Sequence, residues 1–334
     1  MKALVVGGGS IGSRHLRNLK FLGFENLGLV EPDAARRDAV AAELRTSGFA
    51  SLPHGLEWTP RFVIVATPTH LHVEQALEVV RAGIPVFVEK PISHTASGIV
   101  ELAKLVGQMG LTSLVGCNMR FHPGPAKVKQ LLGEGVLGKV LFARVHCGSY
   151  LPEWRSNADY RQNYAARAET GGGCILDCIH EIDLAQWYLG KIESVFCWAG
   201  HSSSLEIETE DVAALICRHA GGTMSEIHLD YVQRTYERGC QIVGELGSVF
   251  WDFNAKAVRW YSAESKQWTN YSQPLGWEIN QMYVDEMKHF LECVDNKRPT
   301  VLPIPEAAAL MQAVFAAKTS SQTGKMVAVE KQVP

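Results

Sequence analysis

In the first third of the chain, short continuous apolar runs alternate with longer stretches whose apolar residues recur every three or four positions. KALVVG (2–7), LGLVE (27–31), FVIVAT (62–67), IPVFVEK (84–90) and TSLVGCN (112–118) have the length and character of buried strands. Between them, IGSRHLRNLKFLG (11–23) places Ile11, Leu16, Leu19 and Leu22 near helical spacing. PDAARRDAVAAELR (32–45) has Pro32 near its start and Asp33 in its first turn, and LHVEQALEVVRAG (71–83) closes on Gly83. A further helix is expected from about Thr95 to Gln108. Continuous apolar strands between amphipathic helices predict a doubly wound, parallel α/β sheet covered on both faces.

After about residue 122 the rhythm changes. PGPAKVKQLLGEG reads as a helix, 140–149 as a strand, 151–170 as a polar, aromatic-rich loop, and 172–189 as one helix. VFCWAG, DVAALICRH, TMSEIHLDYV, RGCQIVGE, GSVFWDF and AVRWYS follow, several with apolar and polar residues alternating, joined by turns such as HAGGT and GELGS. They predict a largely antiparallel sheet with one covered face, and helices near 278–296 and 305–319 end the chain. The expected organisation is a dinucleotide-binding domain over 1–122 and an α+β domain over 123–334 for substrate binding and oligomerisation, divided at HPGP (122–125).

The totals exclude several classes. A chain of 334 residues exceeds what one core usually holds. A formal net charge of −3 gives no reason to expect nucleic acid or an anionic membrane as a partner. No apolar run approaches bilayer-spanning length, and Met1 and Lys2 lead directly into a strand rather than a signal peptide. The eight cysteines form no CxxC pair, which favours free thiols in a reducing cytoplasm.

GGGSIG (7–12) fits G-x-G-x-x-G through Gly7, Gly9 and Gly12. It follows the first strand and opens a helix, and Glu31 ends the second strand 19 residues after Gly12, the context a dinucleotide fingerprint requires. The helix N-terminus offers free N–H groups to a pyrophosphate, and Glu31 can accept hydrogen bonds from the adenosine ribose. Its charge repels a 2′-phosphate, so NAD is favoured; Arg36 and Arg37 just beyond keep NADP open.

Ligands of open α/β sheets sit beyond the carboxyl ends of the strands. Lys90, Thr67-Pro68-Thr69 and Asn118 all stand at such ends. A lysine there can hydrogen-bond a substrate oxygen, Glu89 can hold it, and Pro91 keeps it out of helical geometry. Taken alone, it reads equally well as a solvated surface charge. In TGGGCILDCIHEIDLAQWYLG (170–190), Asp177 and His180 are spaced i, i+3 on a helix, a pairing suited to proton transfer. Cys174, Cys178 and His180 fit no standard zinc spacing, and no metal is expected.

GGGSIGSRHLRNL, ATPTHLH, AGIPVFVEKPIS, NMRFHP and GGGCILDCIHEID, in that order and over nearly the whole chain, resemble the glucose–fructose oxidoreductase / inositol dehydrogenase (Gfo/Idh/MocA) family. The resemblance implies a Rossmann domain followed by a domain with an open, mainly antiparallel sheet that often forms the subunit interface, as a homodimer or homotetramer. It implies catalytic roles for Lys90, Asp177 and His180, although many members separate that Asp and His by four residues rather than three. Cofactor contacts are expected at Gly7, Gly9, Ser10, Ile11, Gly12, Glu31, Thr67, Pro68, Thr69, His72, Glu89, Lys90 and Asn118. A sugar-like substrate is expected against Arg120, Trp154, Arg155, Tyr160 and Tyr164, since aromatic rings suit a sugar face and arginine suits an anionic group. The leading expectation is NAD(P)-dependent oxidation of a secondary alcohol on a sugar, polyol or nucleotide sugar. The alternatives are reduction of an imine, double bond or dihydrodiol, and a non-catalytic NAD-dependent sensor.

Overall fold

The structure, a computed structural model, describes residues 1–154 and 159–330. In chain order the first elements are β1 Lys2–Val6, α1 Ser10–Phe21, β2 Asn26–Val30, α2 Ala34–Leu44, β3 Ser47–Phe49, α3 Leu52–Glu57, β4 Phe62–Val65, α4 His72–Arg81, β5 Val86–Glu89, α5 Ile99–Met109 and β6 Ser113–Gly116. Then come α6 Pro123–Gly133, β7 Val140–Gly148, α7 Cys174–Asp177, α8 Ile179–Leu189, β8 Ile192–Gly200, β9 Val212–His219, β10 Met224–Asp230, β11 Glu237–Gly244, β12 Gly247–Asp252, β13 Ala257–Ser262 and β14 Gln267–Ser272. The last are α9 Asn280–Asn296, α10 Ile304–Thr323 and β15 Val327–Ala328.

These elements form two compact units, one of Met1–Asn118 with Asn280–Ala309, the other of Met119–Ile279 with residues 310–330. In the first unit, six strands run in the order β3-β2-β1-β4-β5-β6, every pair parallel. The four residues of β4 and the apolar residues of β1 and β5 are buried, as strands covered on both faces must be. The long helix α9 belongs to this unit rather than to the second. Its Phe290 is fully buried and meets Phe62 of β4 and Phe87 of β5 edge to face, at 5.6 and 5.7 Å between ring centres. The chain after it closes on β6, where Val115 N donates to Leu302 O at 3.0 Å.

The second unit holds nine strands in the order β14-β13-β12-β11-β7-β10-β9-β8-β15. All neighbours are antiparallel except β7 and β10. Along β9, buried and exposed residues alternate, the mark of a sheet with one covered face. The opposite face is open and carries Phe196, Trp198, Ile216, Met224 and Trp268 in exposed positions. The expected single helix over 172–189 is two helices. Cys178, at φ −88° and ψ +32°, breaks α7 from α8, so Asp177 and His180 do not share one regular helical turn. Among the described residues, no helix is long and apolar enough to cross a membrane.

Candidate active site

The three fingerprint glycines have separate physical causes. Gly7 has φ +104°, and a Cβ there would sit 2.6 Å from the carbonyl oxygen of Ala66. A Cβ on Gly12 would lie 1.9 Å from the carbonyl oxygen of Gly7. Gly9 caps α1 in an extended conformation, and its missing Cβ points into open space, with no atom within 4 Å. The first two pack the loop; the third leaves room in front of the N-terminus of α1, beside Ser10 and Ile11, for a pyrophosphate. Gly12→Ala therefore forces backbone apart. Overpacking of this kind costs about 1–3 kcal/mol, so a loss of roughly tenfold or more in NAD affinity is expected in a fluorescence titration.

Glu31 is nearly buried. Its Oε2 accepts from Gly8 N at 2.9 Å and its Oε1 from Asp33 N at 3.1 Å. Arg36 and Arg37, which left NADP open, both turn back to this residue. The Arg36 guanidinium lies 3.5 Å from Oε2, and Arg37 donates to the Glu31 carbonyl at 3.0 Å. The acidic group at the end of β2 is thus fixed where an adenosine ribose diol would meet it, and the loop and carboxylate fit NAD.

At the end of β4, Thr67 Oγ1 donates to Gln75 Oε1 at 2.7 Å, and Pro68 precedes a short turn, Thr69–Leu71, in which Thr69 is buried. His72 corrects the expectation of a cofactor contact. It is 1% exposed, with Nδ1 2.9 Å from Pro91 O and Nε2 2.7 Å from Thr67 O. It ties the loop after β4 to the loop after β5, and both ring nitrogens are taken up in doing so. Burial pulls its pKa below the usual imidazole value despite the two carbonyls.

Glu89 ends β5 with its carboxylate inward. Oε1 is 2.6 Å from His15 Nε2, and Oε2 accepts from Lys90 N at 3.2 Å. Burial pushes this carboxyl up, but the His15 hydrogen bond and the positive charge of Lys90 outweigh it and hold Glu89 below the ordinary carboxylate value. Glu89 is therefore an anion locked beside Lys90. Asn118, buried at the start of the turn after β6, is hydrogen-bonded to Tyr283 of α9. The Tyr283 ring carries the Arg14 guanidinium 4.5 Å above its centre. Tyr283 was not anticipated, because nothing local to α9 marks one tyrosine of a long amphipathic helix as facing a strand end.

In the second unit, Asp177 is received by two phenols: Tyr164 donates to Oδ1 at 2.7 Å and Tyr231 to Oδ2 at 3.4 Å. Trp154 packs edge-on against Tyr231, 5.2 Å between ring centres, and donates from Nε1 to Ser149 Oγ at 2.8 Å. Trp154, Tyr164 and Asp177 thus come together, and the fully buried Tyr231 joins them. Tyr160 turns elsewhere, its hydroxyl accepting from Glu206 N at 3.2 Å. Arg155 lies outside the described residues.

Arg120 corrects another expectation. Rather than lining a cleft, it is buried, and its guanidinium grips Asp183 from Nε at 2.9 Å and from NH2 at 2.6 Å. Glu181 is paired with Arg238, whose NH2 donates to Oε2 at 3.2 Å and whose Nε lies 2.8 Å from Oε1. His180, itself buried, therefore stands on a helix pinned from two sides by ion pairs. Cys147, Cys178 and Glu181 bring ligand atoms within 4.8 Å of one another, but the guanidinium already on Glu181 opposes a second cation there.

A parallel sheet ordered 3-2-1-4-5-6, a glycine turn after its first strand and an acidic residue after its second define a dinucleotide-dependent protein. The chain belongs to the Gfo/Idh/MocA family. Residues 1–117 match its oxidoreductase family, NAD-binding Rossmann fold model, and residues 126–250 its C-terminal domain model. The chain is 30% identical over 257 residues to inositol 2-dehydrogenase 2 of Saccharopolyspora erythraea, covering 73% of this chain and 71% of that protein. It is 24% identical over 347 residues to scyllo-inositol 2-dehydrogenase (NAD(+)) of Bacillus subtilis, covering 99% and 96%. Its fold matches that of levoglucosan dehydrogenase in complex with NADH and levoglucosan, with a TM-score of 0.90 at 17% identity over 99% and 100% of the two chains.

Proposed function

We propose that this chain is an NAD-dependent dehydrogenase of a secondary alcohol on a polyol or sugar. The observation that carries the reading is Lys90 at the end of β5, beside a carboxylate kept ionised, in the same unit as an NAD fingerprint. The inositol dehydrogenases among its relatives support the substrate class. When bound, the nicotinamide supplies the hydride acceptor. Gly9 and the N-terminus of α1 hold the pyrophosphate, Glu31 the ribose, and the Thr67 and Asn118 strand ends the nicotinamide half. Glu89 favours the ammonium form of Lys90, which donates to the substrate oxygen and stabilises its developing negative charge. By the resemblance of 171–183 to the family's motif, the hydroxyl proton is assigned to His180. Asp177, with Tyr164, Tyr231 and Trp154, offers a carboxylate and aromatic faces to a polyhydroxylated ring.

The test is nicotinamide absorbance with NAD⁺ or NADP⁺ against inositols, hexoses, uronates and nucleotide sugars, with a cyclic imine and a dihydrodiol as comparators. Turnover of one sugar or polyol class with NAD⁺ supports the reading; turnover of the comparators alone overturns it.

We also infer that the open face of the second unit's sheet meets a second copy of the chain, as a homodimer or homotetramer. Its exposed Phe196, Trp198, Ile216 and Met224 form an apolar patch of the kind that marks a subunit contact. In sedimentation velocity, wild type is expected to run as an oligomer and Trp198→Glu as a smaller species. Eight buried cysteines, none in a CxxC pair, support a reducing cytoplasm as the setting.

A further inference from the structure

His15 lies on α1, just past the fingerprint loop, with no exposed surface. Its Nε2 meets Glu89 Oε1 at 2.6 Å, and its ring stands edge-on to Phe87, 5.1 Å between centres. The other nitrogen, Nδ1, is buried with no hydrogen-bond partner among the described residues. Glu89 is held as an anion, so its Oε1 accepts and the His15 Nε2–H donates. Space for the carboxylate is made from the other side by Gly116 of β6, where a Cβ would come within 3.1 Å of Oε2.

We propose that His15 is a positioning residue for Lys90: it donates from α1 to Glu89 and fixes that carboxylate, which accepts from the Lys90 backbone N–H, next to the lysine. The proposal rests on the reading of Lys90 as the group that acts on the substrate oxygen. The other ionisable groups facing Glu89 cannot take over. His72 of α4 spends both nitrogens on the carbonyls of Thr67 and Pro91. Tyr283 of α9 is hydrogen-bonded to Asn118, and burial keeps its phenol protonated. Lys90 is the cation that Glu89 serves. The helix that receives the pyrophosphate and the loop that carries the lysine are thereby joined through one hydrogen bond.

The test is competitive labelling of full-length protein with acetic anhydride across pH, with the Lys90 peptide read by mass spectrometry. It reports the free-amine fraction of Lys90 without a substrate. Removing the neighbouring anion, as in Glu89→Gln, or freeing it to swing away, as in His15→Leu, disfavours the ammonium form, so the labelling midpoint falls. His15→Leu and Glu89→Gln are each expected to lower it by about one unit, a tenfold rise in free amine at a given pH. His15→Gln, which retains a donor at the same reach, is expected to keep the wild-type midpoint. An unchanged midpoint in His15→Leu with NAD binding intact overturns the proposal. So does an unchanged midpoint in Glu89→Gln, which preserves side-chain volume and serves if His15→Leu does not fold. Lys90→Ala assayed alongside separates the two readings. If it leaves turnover intact while the midpoints still shift, the catalytic role fails and the coupling stands.

Discussion

Lys90→Ala is expected to lower kcat by about 10²–10⁴-fold while leaving NAD affinity nearly unchanged. On the proposed reading, the side chain removed supplies a hydrogen bond and a positive charge where negative charge develops on the substrate oxygen, an interaction strongest in the transition state. The cofactor-binding features, Gly9 and Glu31, are remote in sequence and independent of it. Steady-state kinetics beside a fluorescence titration read the two quantities separately. Parallel losses in affinity and kcat would place the lysine in cofactor binding, and unchanged turnover would remove it from the reaction. The direction with pH also follows. On the proposed reading the group that acts is the ammonium, so activity is lost at alkaline pH once that ammonium gives up its proton. Glu89→Gln therefore moves the alkaline limb of the kcat profile to lower pH.

Arg238→Leu is expected to destabilise the protein by roughly 3–5 kcal/mol, because it strands the Glu181 carboxylate in the interior. Glu181 and the Arg238 side chain are both buried, and burial, which would lower the Arg238 pKa, is outweighed by the charge of Glu181. Removing both charges together, as Glu181→Met with Arg238→Leu, is expected to recover most of the loss, since the cost is an unpaired charge rather than a missing attraction. Urea denaturation of the single and double variants reads this directly. If the single variant were as stable as wild type, the pair would not be anchoring α8, and the support assigned to His180 would go with it.

Much of this was written in local sequence. The buried strands of the first sheet are continuous apolar runs, and DVAALICRH alternates as β9 does. The glycine loop was legible because its context, strand before and helix after, is local as well. What escaped has a common cause in contacts between distant residues. Asp183 lies 63 positions from Arg120 and turns an expected substrate contact into a buried ion pair. Tyr231 reaches Asp177 across 54 positions, and Tyr283 is nowhere near Asn118 in the chain. The strand β14, QWTNYS, is exposed along nearly its whole length, so it has no buried side to impose a period of two. The break at Cys178 is invisible because the apolar stripe of CILDCIHEID runs through it without interruption.

The return of α9 to the first sheet bears on the birth of the protein. Phe290 and Leu302 complete a core begun by β4, β5 and β6, so the nucleotide-binding unit has no finished interior until α9 and residue 302 have left the ribosome. Most of the second unit, Met119–Ile279, is synthesised before its host's closing helix, and the rest of it, from Leu310, afterwards. A chain cut short anywhere between Gly12 and α9 thus carries every fingerprint glycine yet lacks the helix that closes their sheet.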